Sequence, residues 1–152
     1  MAFEFNRSAC IYGRTDKSVA LGMLALACAV LAVAGWLKPA AIGYGTHMQL
    51  GLPPCNFLRL THLPCPTCGM TTCFAWAIRL QFRKAFFANP FGIVAFFGTV
   101  SLIPAAMVML WHRISFRWIT NHAWFNKAIY ASTVLLFLSW IFKLAEFQFA
   151  GF

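Results

Sequence analysis

Acidic side chains are almost missing from this chain. Among 152 residues only Glu4, Asp16 and Glu146 carry a carboxylate. None lies within an apolar run, so the sequence offers no buried carboxylate for a proton relay and no carboxylate pair for general acid–base chemistry. Charge of either sign is scarce at 10%, against about 25% in an average soluble domain. No glycine-rich nucleotide loop, serine nucleophile elbow or zinc-protease helix is present either, which removes the enzyme classes that those motifs serve.

Apolar side chains fill the space that charge leaves. They make up 61% of the chain, with seventeen Phe and six Trp. A globule of this size could not be covered with polar surface from such a composition, which excludes a soluble monomer, and disorder is excluded because low hydrophobicity is its signature. The chain reads as an integral membrane protein. Its net charge of +9 would suggest nucleic acid in a soluble protein, but here the basic residues flank apolar runs, where they meet lipid headgroups. Nucleic acid is therefore not an expected partner; the lipid bilayer is.

A hydrocarbon layer about 30 Å thick needs about 20 apolar residues in a helix. Three segments satisfy this: 18–37, stopped by Lys38-Pro39; 91–111, entered through Asn89-Pro90 and closed by His112-Arg113; and 128–144, with Lys143 near enough to the end to snorkel. Pro104 should kink the second span. The first run resembles a signal peptide in having Arg14 and Lys17 ahead of it and Ala32-Val33-Ala34 within it, but its apolar stretch is too long, and a retained helix is expected. The expected architecture is a single all-α membrane domain over 1–152, with three transmembrane helices, a Cys-rich loop and one interfacial amphipathic helix.

The loop and that helix occupy 38–90. Gly43, Gly45, Gly51, Pro53 and Pro54 punctuate the first part, so 38–63 reads as loop. From Gly69 to Ala88 the pattern reads as a helix. At 100° per residue Thr72, Arg79 and Arg83 fall within about 40° of one another, opposite Phe74, Ala77, Ile78, Phe82 and Ala85. Such a stripe suits a helix lying in the membrane interface, with Arg79, Arg83 and Lys84 at headgroup level; packing on the bundle with the arginines facing headgroups is the equal alternative.

Orientation is balanced. With the N-terminus inside, Arg7, Arg14, Lys17, Arg113, Arg117 and Lys127 lie inside, and Lys38, Arg59, Arg79, Arg83, Lys84 and Lys143 lie outside. The flanks of the first helix usually dominate such a tie, which favours a cytoplasmic N-terminus and an external Cys-rich loop.

Four of the six cysteines cluster: Cys55, Cys65, Cys68 and Cys73, around the run Leu63-Pro64-Cys65-Pro66-Thr67-Cys68-Gly69-Met70-Thr71-Thr72-Cys73. A Cys-x-x-Cys pair lets two sulfurs point at one centre, Pro64 and Pro66 stiffen the approach, and Gly69 permits backbone angles that other residues resist. Four readings remain open. A metal knuckle would use Cys55, Cys65, Cys68 and Cys73 as sulfur ligands, with His62 or His47 able to replace one and zinc the ion such ligands suit. Thiol–disulfide chemistry would use Cys65 and Cys68 near a helix start, where the dipole lowers a thiol's pKa, although the strand-to-helix context of thioredoxin-like enzymes is missing. A structural disulfide would join Cys55 to Cys65 or Cys68. Buried thiols that only pack are the fourth, and Cys10 and Cys28 read that way. His112 and His122, among Trp111, Trp118 and Trp124, read as part of an aromatic belt, and the methionines as packing.

Residues Cys55, Cys65, Pro66, Cys68, Gly69 and Thr71 fall on the pattern of a family of small bacterial membrane proteins known as domain of unknown function 2752: a Cys some ten residues ahead of Cys-Pro-x-Cys-Gly-x-Thr-Arg, leading into a helix. The resemblance spans about 52–92. It implies a three-span layout and a multi-pass protein of the bacterial inner membrane, and it implies no reaction. Where the family has arginine after the threonine this chain has Thr72, so any anion or headgroup contact of that arginine would fall to another residue, such as Arg79. The expected function is a non-catalytic accessory or assembly subunit of a larger membrane complex, working beside other membrane-protein subunits, its loop held by a metal or a disulfide. The alternative is a redox or metal-handling protein acting through Cys65 and Cys68.

Overall fold

The computed structural model describes residues 13–113, 115–116 and 123–149, with the side chains of residue 123 and of 146–149 outside the description; Cys10, Arg117, Trp118 and His122 lie outside the described residues. The described chain is helical throughout its regular structure: α1 (Arg14–Trp36), a 3-10 turn (Thr46–Leu50), α2 (Asn56–Thr61), α3 (Met70–Ala77), α4 (Phe82–Ala88), α5 (Pro90–His112) and α6 (Ala123–Phe149). Three helices are long and apolar enough to cross a membrane: 14–36, 90–112 and 124–145, with mean hydropathies of 2.3, 2.2 and 1.7. Twenty-three residues of helix extend about 34 Å, enough for the hydrocarbon layer. Their apolar faces stay exposed outside the bundle, as expected where lipid is the solvent. The protein is a multi-pass membrane protein.

Each span is longer than the apolar run that announced it, and polar residues cap the starts of two of them. In α1 the Gly13 N–H donates to Asp16 Oδ2 at 3.0 Å, so the helix starts a turn before the apolar stretch, with an acid where the positive end of the dipole favours it. Asn89 caps α5, its Oδ1 accepting from the Gly92 N–H at 3.0 Å with Pro90 as the first helical residue. Helix α5 continues through Pro104 to His112.

Helix α1 packs on α5 and α3 through small residues at seven-residue spacing: Ala20, Ala27 and Ala34 are buried. Where α3 crosses α5, a Cβ on Gly92 would stand 2.7 Å from Cys73 Sγ, so glycine is what lets the two backbones approach. Phe74 meets Phe96 edge to face at 5.5 Å. The core cluster is Ala34, Cys73, Phe74, Ala77, Ala85, Ala88 and Phe96.

Two differences from the sequence-based expectation bear on the site. The segment 69–88 is two short helices, not one, broken at 78–81, where Leu80 takes a left-handed φ of 59°. Helix α3 is packed on the bundle, the equal alternative to a free amphipathic helix, since Thr72, Cys73, Phe74, Ala75 and Ala77 are all buried among α1, α4 and α5. The helical wheel treats 69–88 as one free helix, whereas packing on three neighbours decides which face of α3 is buried. The loop 38–63 also holds more structure than its glycines suggested: the 3-10 turn is flanked by Gly45 and Gly51, both left-handed, and α2 follows.

Candidate functional site

Chain order brings three of the four clustered cysteines to one point. Cys55 caps α2, and Cys65 and Cys68 flank the turn into α3, closed by the Cys68 N–H donating to the Cys65 carbonyl at 3.0 Å. The sulfurs of Cys55, Cys65 and Cys68 all lie within 4.8 Å of one another. Cys68 is buried; Cys55 and Cys65 are half-buried, so the cluster has an inner and an outer side. The five described cysteines are free thiols.

Cys73, expected as a fourth ligand, stands apart. It is fully buried against Gly92 in the α3–α5 crossing, where burial, only partly offset by the Lys143 ammonium, pushes its thiol up to about 12. It packs, as the crossing demands. His62 also lies outside the group: it ends α2 at a left-handed φ of 56°, exposed. His47 Nε2 lies 3.3 Å from the Pro53 carbonyl.

The two cysteines of the Cys-x-x-Cys pair differ electrostatically. Burial raises the Cys65 thiol, but contacts with Thr67 Oγ1 at 3.4 Å, Cys68 and Cys55 outweigh it and bring it below its ordinary value. Burial pushes Cys68 up to about 12, reinforced by the neighbouring Cys65. A thiolate at the outer sulfur is thus stabilised by the remaining thiol protons, one negative charge shared by the cluster.

The loop that carries these thiols is irregular backbone, so its carbonyls need partners, and three side chains from elsewhere supply them. Trp140 Nε1 donates to the Pro64 carbonyl at 2.9 Å. Asn89 Nδ2 donates to Pro66 and Cys68 carbonyls at 3.2 and 3.1 Å. Lys143 Nζ donates to Cys68 and Ala88 carbonyls at 2.5 and 2.6 Å. Ser139 completes the link, donating to Asn89 Oδ1 at 3.3 Å and accepting from the Phe91 N–H at 3.1 Å. Gly69 closes the loop at φ 81°: a Cβ there would meet the Ala88 and Gly43 carbonyl oxygens at 2.5 and 2.6 Å and Lys143 Nζ at 2.8 Å. Glycine is required by both angle and space.

Lys143 therefore does not snorkel. It turns into the bundle because carbonyls of a packed loop lie within reach, and a single lysine in a long apolar run was the sequence signal of it. Asn89, read as a helix stop, is also a clamp on the Cys loop. Asp16, read as lying outside the membrane problem, is buried and accepts from Ser115 Oγ at 3.0 Å and the Phe116 N–H at 2.9 Å, ninety-nine and one hundred residues away in sequence.

The three cations expected at headgroup level divide. Arg79, Arg83 and Lys84 are all exposed, with Lys84 Nζ 4.4 Å from the centre of the Trp76 ring. Arg79 instead gathers carbonyls: Ala75 at 2.6 Å on its own helix, and Ala34, Gly35 and Leu37 at 3.4, 2.9 and 2.9 Å at the end of α1. A cation at a helix C-terminus opposes the dipole and satisfies its orphan carbonyls. Thr72, at the position of the family's arginine, shares a 2.7 Å hydrogen bond with Thr46 Oγ1, tying α3 to the 3-10 turn.

No curated protein and no solved structure matches this chain. Residues 55–103 match the family model described as "Protein of unknown function (DUF2752)". What this chain shares with that family is therefore the stretch that begins at Cys55, carries Cys65, Cys68 and Gly69, and runs through the Asn89 clamp into α5.

Proposed function

We propose that Cys55, Cys65 and Cys68 hold one thiophilic metal ion, zinc in the first instance, and that the ion fastens the loop of a non-catalytic membrane subunit. The observation that carries this reading is the convergence of three sulfurs within 4.8 Å. Thiolate sulfur selects zinc or copper(I) over hard cations. Tetrahedral zinc at about 2.3 Å from each sulfur needs them about 3.8 Å apart, a modest contraction that the half-buried Cys55 and Cys65 can make. Bound there, the metal would supply a crosslink between the start of α2 and the start of α3. The scarcity of carboxylates and the exposed apolar faces of the spans support a structural or assembly role beside other membrane subunits over a catalytic one.

The flanks of the first helix, Arg14 and Lys17 before it against Lys38 after it, support a cytoplasmic N-terminus. The loop then faces outward from the cytoplasm, across the inner membrane if the chain is bacterial as its family resemblance implies. There an unligated dithiol is open to oxidation, and a bound ion would keep all three thiols reduced.

A second reading has its own observation: Cys65 is the outer thiol with the lowered pKa, and Cys68 is the inner one with the raised pKa. A nucleophile beside a buried resolving thiol is the arrangement of dithiol exchange. One experiment separates the two. Protein extracted in mild detergent without reductant should carry about one zinc or copper per chain, with three thiols shielded until a chelator is added, and Cys68→Ser should lose the metal. Absence of metal after loading with either ion, with two thiols missing from the free count, would replace the metal reading by the dithiol one.

A further inference from the structure

The opposite end of the bundle carries a cavity that the thiol site does not explain. It has a volume of about 570 Å³ and is lined by Gly13, Arg14, Lys17, Leu110 and Arg113; small-molecule sites run from about 300 to 1,000 Å³. We propose that it binds the phosphate headgroup of an anionic phospholipid.

Three cations converge on this cavity from two helices. Arg14 and Lys17 are three residues apart in the first turn of α1, so they share a face. Arg113 caps the end of α5 in the left-handed region at φ 52°, its N–H bound to the Met109 carbonyl, a backbone position that arginine rarely takes. All three are exposed, and among the described residues none of them forms a salt bridge. Asp16 lies on the same turn, so these four residues carry an excess of two positive charges. Asp16 already serves the amino end of α1 through the Gly13 N–H, so the three cations, not the helix dipole, supply the attraction for a bound anion.

The depth of the cavity selects a lipid. It sits where α1 begins and α5 ends, at the edge of two spans. Trp111, 85% exposed, and Trp124, 56% exposed, stand at the same end, marking the headgroup level. The lining passes from arginine and lysine to Leu110, which suits a phosphate whose glycerol ester continues into an apolar layer. Arginine supplies paired donors for phosphate oxygens and lysine a point charge.

The test uses the full chain in nanodiscs or mild detergent, with phosphatidylglycerol and phosphatidylcholine of matched acyl chains as probes. Phosphatidylglycerol should bind preferentially, and Arg14→Gln, Lys17→Gln and Arg113→Asn should each weaken it about fivefold, the three together about a hundredfold. Asparagine at 113 keeps the left-handed backbone accessible, and the single variants are read alone if the triple variant is not monodisperse. Arg83→Gln, a headgroup-level cation at the far end, should weaken binding less than any of the three. Equal affinity for the two lipids, no loss in the three variants, or an equal loss in Arg83→Gln would overturn the site. Displacement of the lipid by low-millimolar inorganic phosphate would overturn its assignment to a membrane headgroup in favour of a free anion.

Discussion

The two ends of this bundle meet the same problem with opposite charges. At the end where α1 starts, Asp16 offers a carboxylate to N–H and O–H donors: Gly13 at the helix start, Ser115 and Phe116 beyond the end of α5. At the loop end, Arg79, Asn89, Trp140 and Lys143 offer donors to carbonyls. The difference follows from chain direction and from how much irregular backbone each end holds. A helix start presents unpaired N–H groups and calls for an acceptor, whereas the end of α1 and the turns around Cys65 present carbonyls and call for donors. The loop end buries more non-helical backbone beside the membrane, where unsatisfied groups are costly, and so recruits more side chains. With so few charges in the chain, most of those placed inside serve backbone groups.

That comparison can be broken most severely at the loop end. Gly69→Ala forces a side chain onto two backbone oxygens at a left-handed φ, combining conformational strain of about 1–2 kcal/mol with overpacking of about 1–3 kcal/mol. Thermal unfolding in detergent should show the largest drop of the series, and metal retention should fall with it; an unchanged midpoint would mean that the loop is not seated as described. Lys143→Met comes next. It keeps the length of the side chain but strands the Ala88 carbonyl and leaves the Cys68 carbonyl to Asn89 alone, at roughly 1–3 kcal/mol if Ala88 is not rehydrated. Lys143→Arg should recover part of the loss, which a purely apolar packing role would not produce.

At the other end Asp16→Asn should cost less, about 1–2 kcal/mol: an amide oxygen can still accept from Ser115 and Phe116, while the Gly13 N–H loses its acceptor and the helix start its negative charge. A loss as large as that of Lys143→Met would make the two ends equal. The smallest perturbation sharpens the thiol asymmetry without a mutation. In chelated, reduced protein, thiolate populates as pH rises through each pKa, so Cys65, held below its ordinary value, should be alkylated by iodoacetamide at lower pH than Cys68, raised to about 12. Mass spectrometry of the two sites across pH 6–10 would reverse the assignment if Cys68 reacted first.

The three spans were legible because length and apolar run suffice to specify a helix that must satisfy its own backbone in lipid. Their ends were not, because Asp16 and Asn89 extend the helices by capping, which hydropathy does not register. Cys55, Cys65 and Cys68 were legible as a group from spacing and flanking prolines. Cys73 and His62 were read with them because nearness in sequence cannot say which way a side chain turns once α3 is embedded and α2 ends at a left-handed residue. Arg79 was placed by its angle on a helical wheel that assumed one free helix, and the break at 78–81 removed that assumption.

The sequence by itself determined the class of this protein, since its composition leaves no way to cover a core with polar surface and its apolar runs match the thickness of a bilayer. It also determined which cysteines could act together at short range and that a glycine had to follow them. Only the tertiary structure decided where the isolated charges went. Lys143, Arg79 and Asp16 each meet partners forty or more residues away, and those contacts exist because antiparallel helices bring one span's end beside another's beginning. The local pattern records only that a charge stands in or beside an apolar run; the packed bundle supplies the groups that satisfy it.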